Sequence, residues 1–279
     1  MTQPLLTDIS ALDRARARAA TDPALFLQEE AADEVHHRLA MVNRQFTAPA
    51  IVTVWPDLWR DGFPDAAIIP DSETLFLEKG AHDLVVHALS LHWSNDPVGQ
   101  LIQARRALKP DGLFLGILFG GQTLFELRAA LAEAEAAVTG GLSPRVLPMA
   151  EIRDLGSLMQ RAGFALPVAD SYIRAVSYPD PFALMRDLRA MGEANAMASR
   201  PRTFTRRAVL LEAAARYAAA YSDDTGRIPA TFEFICLTGW APGPGQQQPL
   251  RPGSAARRLA DALGTTETAL NDPATPRRD

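Results

Sequence analysis

Asp83-Leu84-Val85-Val86-His87-Ala88-Leu89-Ser90-Leu91-His92-Trp93 and, after Lys109-Pro110-Asp111-Gly112, Leu113-Phe114-Leu115-Gly116-Ile117-Leu118-Phe119 are the two stretches that decide the fold. Asp83 to Ala88 and Leu113 to Phe119 are strand-sized apolar runs, and Val98 to Leu108 between them has helical period. The Lys-Pro-Asp-Gly segment predicts a turn into the second strand. Working outward, Ala50 to Val54 and Ala66 to Ile69 are shorter strand-like runs upstream, and Thr123 to Val138 is helical in period. Further on, Met149 to Arg161 reads as a helix stopped by Gly163, Leu166 to Tyr178 as extended chain, Pro181 to Met191 and Arg206 to Ala220 as helices, and Ala230 to Trp240 as the last strand. Strands alternating with helices predict an α/β fold with a mostly parallel sheet covered on both faces. Ligands of such sheets bind beyond the carboxyl ends of the strands.

Ahead of the sheet, residues 8–46 lack glycine and contain only Pro23 as a breaker, which predicts two helices divided near Thr21-Asp22-Pro23. There Asp22 is a candidate cap and Pro23 a first-turn residue. Beyond Trp240 the chain turns to Pro242-Gly243-Pro244-Gly245 and three glutamines, the composition of a loose tail in which Ala255 to Leu263 reads as a short amphipathic helix. The expected organisation is N-terminal helices over 1–46, a sheet domain over 47–241 that includes a helical cap over 139–220, and a flexible tail over 242–279.

Of the 279 residues, 47% are hydrophobic, and 28 Lys and Arg against 33 Asp and Glu leave a net charge of −5. That charge gives no general reason to bind nucleic acid or an anionic membrane. Cys236 is the single cysteine, so no internal disulfide forms, and its apolar setting reads as core strand. No apolar run is long enough to span a bilayer, and Met1-Thr2-Gln3-Pro4 does not open a secretion signal, so the expected location is the cytoplasm.

The runs Asp83 to Trp93 with Asn95-Asp96, and Leu108 to Phe114, resemble the fourth and fifth strands of class I S-adenosylmethionine-dependent methyltransferases. Three more blocks are specific: Phe119-Gly120-Gly121-Gln122-Thr123-Leu124-Phe125-Glu126-Leu127-Arg128, Gly140-Gly141-Leu142-Ser143-Pro144, and Asp187-Leu188-Arg189-Ala190-Met191-Gly192-Glu193-Ala194-Asn195. They are similar to the respiratory complex I assembly factor 5 family and to the related malonyl-carrier-protein methyltransferase of biotin synthesis. The resemblance implies a Rossmann-like sheet, S-adenosylmethionine as cofactor, and a protein partner such as a complex I subunit.

One part of the family pattern is missing. In the family, a glycine-rich loop after the first strand approaches the methionine part of the cofactor, and an acid after the second strand holds the ribose. Here no glycine precedes Gly62, and Trp55-Pro56-Asp57-Leu58-Trp59 follows the first strand. Only 28 residues run from Trp55 through His82, whereas one βαβ unit takes roughly 30. The sheet is therefore expected to be one strand short, without the ribose acid, and binding of the cofactor is in doubt on the same ground. Trp55 and Trp59 either fill the vacated cofactor space or serve as ordinary core aromatics. The expected function is that of a methyltransferase-like protein, non-catalytic or only weakly cofactor-binding, that acts in the assembly or modification of a partner, with an active enzyme of remodelled cofactor site as the alternative. No residue is singled out as catalytic.

By the resemblance, the remaining cofactor contacts fall on Asp71, Ser72, His92, Gly120 and Gly121, and the partner or substrate side on Trp93, Gln122, Glu126, Glu193 and Asn195. Each has a plainer reading. Asp71 is also a good helix cap, His92 a loop histidine under Trp93, and Gly120-Gly121 a tight strand-to-helix turn. Glu126 and Glu193 with Asn195 are expected to share a polar groove for a basic segment, unless Glu126 pairs with a neighbouring arginine such as Arg128. His82, His87 and His92 are five apart, so a strand turns them to opposite sides, and no neighbouring carboxylate completes a ligand set; no metal is expected.

Overall fold

A computed structural model describes residues 5–246 and 258–266. Six strands, β1 (Pro49–Val52), β2 (Ala67–Ile69), β3 (His82–Ala88), β4 (Leu108–Phe119), β5 (Ala165–Tyr178) and β6 (Ile228–Trp240), form one sheet in the order β2-β1-β3-β4-β6-β5. The first four run parallel, and β6 is antiparallel to both β4 and β5. β1 pairs directly with β2 and β3, and residues 53–66, holding only α3 (Pro56–Gly62), make the crossover between β1 and β2. No second βαβ unit intervenes, so the sheet has the predicted shortened form.

Strand periodicity divides the core in two. Leu84, Val86 and Ala88 of β3, with Phe232, Phe234 and Cys236 of β6, face α2 (Phe26–Met41), α5 (Phe125–Thr139), α7 (Pro181–Ala190) and α8 (Arg207–Tyr221). Val85, Phe114, Ile235 and Leu237 point the other way, onto α4 (Pro97–Ala107) and α6 (Ile152–Ala162). Alternate side chains point to opposite faces of a strand, which is why these runs are apolar throughout.

Several details depart from the sequence reading. Lys109 to Gly112 lie inside β4, where the register with β3 shifts and Asp111 takes φ 61°, so the expected turn is a strand irregularity. Asp22 caps nothing; α2 begins after Leu25 without a side-chain cap. The interval 139–220 holds helices but also β5, whose 14 residues form one edge of the sheet. The N-terminal helices do not stand apart, since the described residues through Pro244 make one compact unit. In the other unit, the helix expected over 255–263 is described only as α9 (Leu259–Leu263), and residues 247–257 and 267–279 of the expected tail lie outside the described residues.

Candidate functional site

The carboxyl ends of the parallel strands lie beneath α1 (Ile9–Ala19) and the segment before it. Thr7 bridges Met197, and its backbone N–H and C=O bond the Asn95 side chain at 2.9 and 3.1 Å. Asp8 caps α1 through Ala11 N–H and pairs with Arg200 and Arg202 at 3.0 and 3.2 Å. Arg16, two turns along, reaches the end of β2 and pairs with Asp71 at 2.9 Å. Asp71 thus precedes no helix, and neither it nor Ser72 is a cap; the Ser72 carbonyl accepts from Gln100 Nε2 at 3.1 Å. Burial pushes the Asp71 carboxyl up, and the Arg16 charge offsets this only in part.

His92 and Trp93 occupy a short 3-10 turn after β3, and both are buried. Trp93 Nε1 donates to Glu193 Oε2 at 2.7 Å, and His92 Nε2 lies 3.3 Å from the same oxygen. Glu193 arrives there because Gly192 takes φ 79° after α7, letting the Glu193 N–H bond back to Leu188 O at 2.9 Å. Burial pushes the Glu193 carboxyl up, but His92, Arg16 and the Trp93 N–H outweigh it and hold the group below the usual carboxylate range. His87 is a different case: buried against Gln100 at 2.7 Å, it is lowered to about 4. Burial likewise pushes the Cys236 thiol up to about 12. Among the described residues, no three His, Cys, Asp or Glu side chains are grouped to hold a metal ion.

Gly120 to Thr123 form the turn from β4 to α5 and are locked to β6. Gly120 N–H donates to Glu233 O at 2.8 Å and Gln122 N–H to Glu233 Oε2 at 2.9 Å. A Cβ on Gly120 would stand 2.6 Å from both Glu233 Oε2 and Ile235 Cδ1. The close approach at Gly120 is therefore to the chain's own β6, and at Gly121 a Cβ would meet the Glu151 carboxylate at 2.3 Å. Glu126 turns inward, 2% exposed, to accept from Thr231 Oγ1 at 2.5 Å, so it neither faces a groove nor pairs with Arg128. Arg128 donates to Thr123 O at 3.1 Å.

Three of the spaces around these groups bear on the site. A cleft of about 430 Å³ lies between Arg16, Ala20 and Pro23 on one side and Trp55, Pro56 and Leu58 on the other. A second, of about 420 Å³, is lined by Thr53, Ile68, Pro70, Asp71 and Arg60, with Arg16 again in its wall. The third, about 50 Å³, brings Trp93, Phe119, Thr123, Leu188, Glu193 and Asn195 together. Asn195 Nδ2 is bonded to Pro144 O at 2.9 Å. Trp55 borders the first cleft, whereas Trp59 is wholly buried.

Residues 41–116 match a family model described as a methyltransferase domain. The mitochondrial arginine-hydroxylase NDUFAF5 of Danio rerio is 40% identical over 198 residues, covering 71% of this chain and 61% of that protein. The malonyl-[acyl-carrier protein] O-methyltransferase of Xylella fastidiosa is 36% identical over 179 residues, covering 64% and 58%. The chain belongs to the class I methyltransferase superfamily. It spans about three fifths of the length of these relatives. Among solved structures, YcgJ of Bacillus subtilis aligns with a TM-score of 0.48 at 10% identity, covering 76% of this chain and 98% of that one.

Within this superfamily member, the wall of the space beside Trp93 and Glu193 depends on an ion pair that the sequence reading missed. Glu135 of α5 accepts from Arg145 at 2.6 and 3.0 Å and from the Ser143 N–H at 3.0 Å, tying the Gly140–Pro144 block to the helix. The Arg145 hydrogen bonds hold the Glu135 carboxyl down to about 2. A carboxyl depressed in the folded state contributes stability above its unfolded pKa, and that stability is lost as pH falls through the folded value. The stability difference between wild type and Glu135→Gln, measured by urea unfolding, is therefore expected to be largest above about pH 5 and to shrink toward pH 2. A difference independent of pH would refute the assignment.

Proposed function

We propose that this chain works as a partner-binding member of the methyltransferase fold, acting in the assembly or modification of a protein such as a respiratory complex I subunit, without transferring a methyl group from S-adenosylmethionine. The observation that carries this reading is the Arg16–Asp71 pair at 2.9 Å. The acid at the end of β2, which by resemblance contacts the adenine, is occupied by the chain's own N-terminal helix. The groups around it do not fit the cofactor either. Thr53-Val54-Trp55-Pro56 offers no glycine for close backbone approach, and with β1 joined directly to β2 there is no intervening strand to bring a ribose carboxylate. Lost backbone donors of that kind are not readily replaced by side chains.

The relatives' names differ in their chemistry, one an arginine hydroxylase and the other an O-methyltransferase. In this chain the blocks after β4 and α7 meet around Trp93 and Glu193. Isothermal titration with S-adenosylmethionine and S-adenosylhomocysteine is expected to show no binding up to about 1 mM. Micromolar affinity would overturn the proposal in favour of an active methyltransferase with a remodelled site.

A further inference from the structure

The loop entering α8 carries a fully exposed aromatic ring among cations. Phe204 is 102% exposed, and Arg202, Arg206 and Arg207 around it are all exposed. Arg202 shares Asp8 with Arg200, whereas no carboxylate among the described residues lies within ion-pair distance of Arg206 or Arg207. The loop is anchored on both sides of the ring. Arg200 Nη1 donates to Met197 O at 2.8 Å, and Thr205 Oγ1 accepts from Arg145 Nη1 at 2.8 Å, with Arg145 itself clamped by Glu135.

The arginines also stand where they do not help the fold. Arg206 precedes α8 and Arg207 opens it, with no acid in the first turn and no side-chain cap. Cations at a helix start are disfavoured and Asp, Asn, Ser or Thr preferred. Residues that oppose local stability at exposed positions are characteristic of a surface kept for something outside the chain. Arg and aromatic side chains are the types enriched at the centres of protein interfaces.

We propose that Arg202, Phe204, Arg206 and Arg207 form the docking surface for an acidic segment of the partner protein, an inference that rests on the partner-binding reading above. The charge of the patch is opposite to the net charge of −5 of the chain, so it orients a negatively charged segment that the rest of the surface repels. Arg145 ties the loop to Val146 and Leu147 in the wall of the space beside Trp93, Glu193 and Asn195, so a segment docked here continues toward that space. A bilayer has less to hold: one ring on a net-acidic body is a weak interfacial anchor.

The test is fluorescence anisotropy with a labelled peptide of alternating Glu-Glu and Leu-Leu pairs and its Gln-Gln counterpart, on the full chain, Phe204→Ala and Arg206→Asp. The Glu peptide is expected to bind about tenfold tighter than the Gln peptide, and each variant to weaken it at least about fivefold. Arg206→Asp is expected to melt no lower than wild type, since aspartate caps α8, so its loss of binding is not a loss of fold. Equal binding of the two peptides, no binding of the Glu peptide, or unchanged binding by the variants overturns the proposal. So does stronger binding to phosphatidylcholine vesicles containing about one quarter phosphatidylserine than to the peptide, which would assign the surface to membranes. Affinity for S-adenosylmethionine in the titration above would remove the non-catalytic reading while leaving these peptide results as they stand.

Discussion

Trp59→Ala is expected to lower the stability of the fold by about 3–5 kcal/mol, the range for emptying a large buried aromatic site. Trp59 has no exposed surface and stacks on Phe63 at 6.2 Å. It shares a core cluster with Ile51 of β1 and Leu27 of α2, in the short crossover from β1 to β2. Its indole N–H has no hydrogen-bond partner. Replacement by phenylalanine keeps most of the ring contact and removes that unsatisfied donor, so Trp59→Phe is expected to cost less than about 1.5 kcal/mol. Chemical denaturation of both variants checks this. Equal losses would mean the indole is valued for more than its volume.

Arg16→Ala is expected to cost about 3 kcal/mol, because it leaves the Asp71 carboxylate buried without its cation. The side chains of Arg16 and Asp71 are 11% and 14% exposed. Arg16→Met combined with Asp71→Asn is expected to cost less than the two single losses added, as removing both partners abolishes the uncompensated charge. A double-mutant cycle by urea unfolding measures this coupling. Additive losses, or a loss below about 1 kcal/mol for Arg16→Ala, would show that the Arg16–Asp71 pair does not hold α1 in place.

Elements that declare themselves by local period were legible in the sequence, and long-range partners were not. β3 and β4 are continuous apolar runs because helices cover both their faces, and the 28 residues from Trp55 through His82 were enough to anticipate the shortened crossover. β5 was harder: an edge strand with mixed burial has a weak pattern, and Leu166 to Tyr178 read only as extended. Asp71 looked like a ligand residue or a cap because nothing local reveals that Arg16, 55 positions earlier, lies against it. Glu126 looked like a surface acid for the same reason, as Thr231, which satisfies it, is 105 residues away. Glu193 beside Trp93 was named by the family blocks, but the joint bond from Trp93 and His92 to one oxygen is a product of the fold.

The position of β6 between β4 and β5 has a consequence for how the molecule comes into being. Residues 228–240 leave the ribosome after both of the strands they join, yet they bond to both neighbours along most of their length. Until they emerge, β4 and β5 each present an unpaired edge and have no direct contact through which to pair. Closing the sheet is thus a late event with large sequence separation, a slow class of step during which exposed edges recruit other chains. Between completion of α8 and arrival of Trp240 the two edges that β6 joins stand open together.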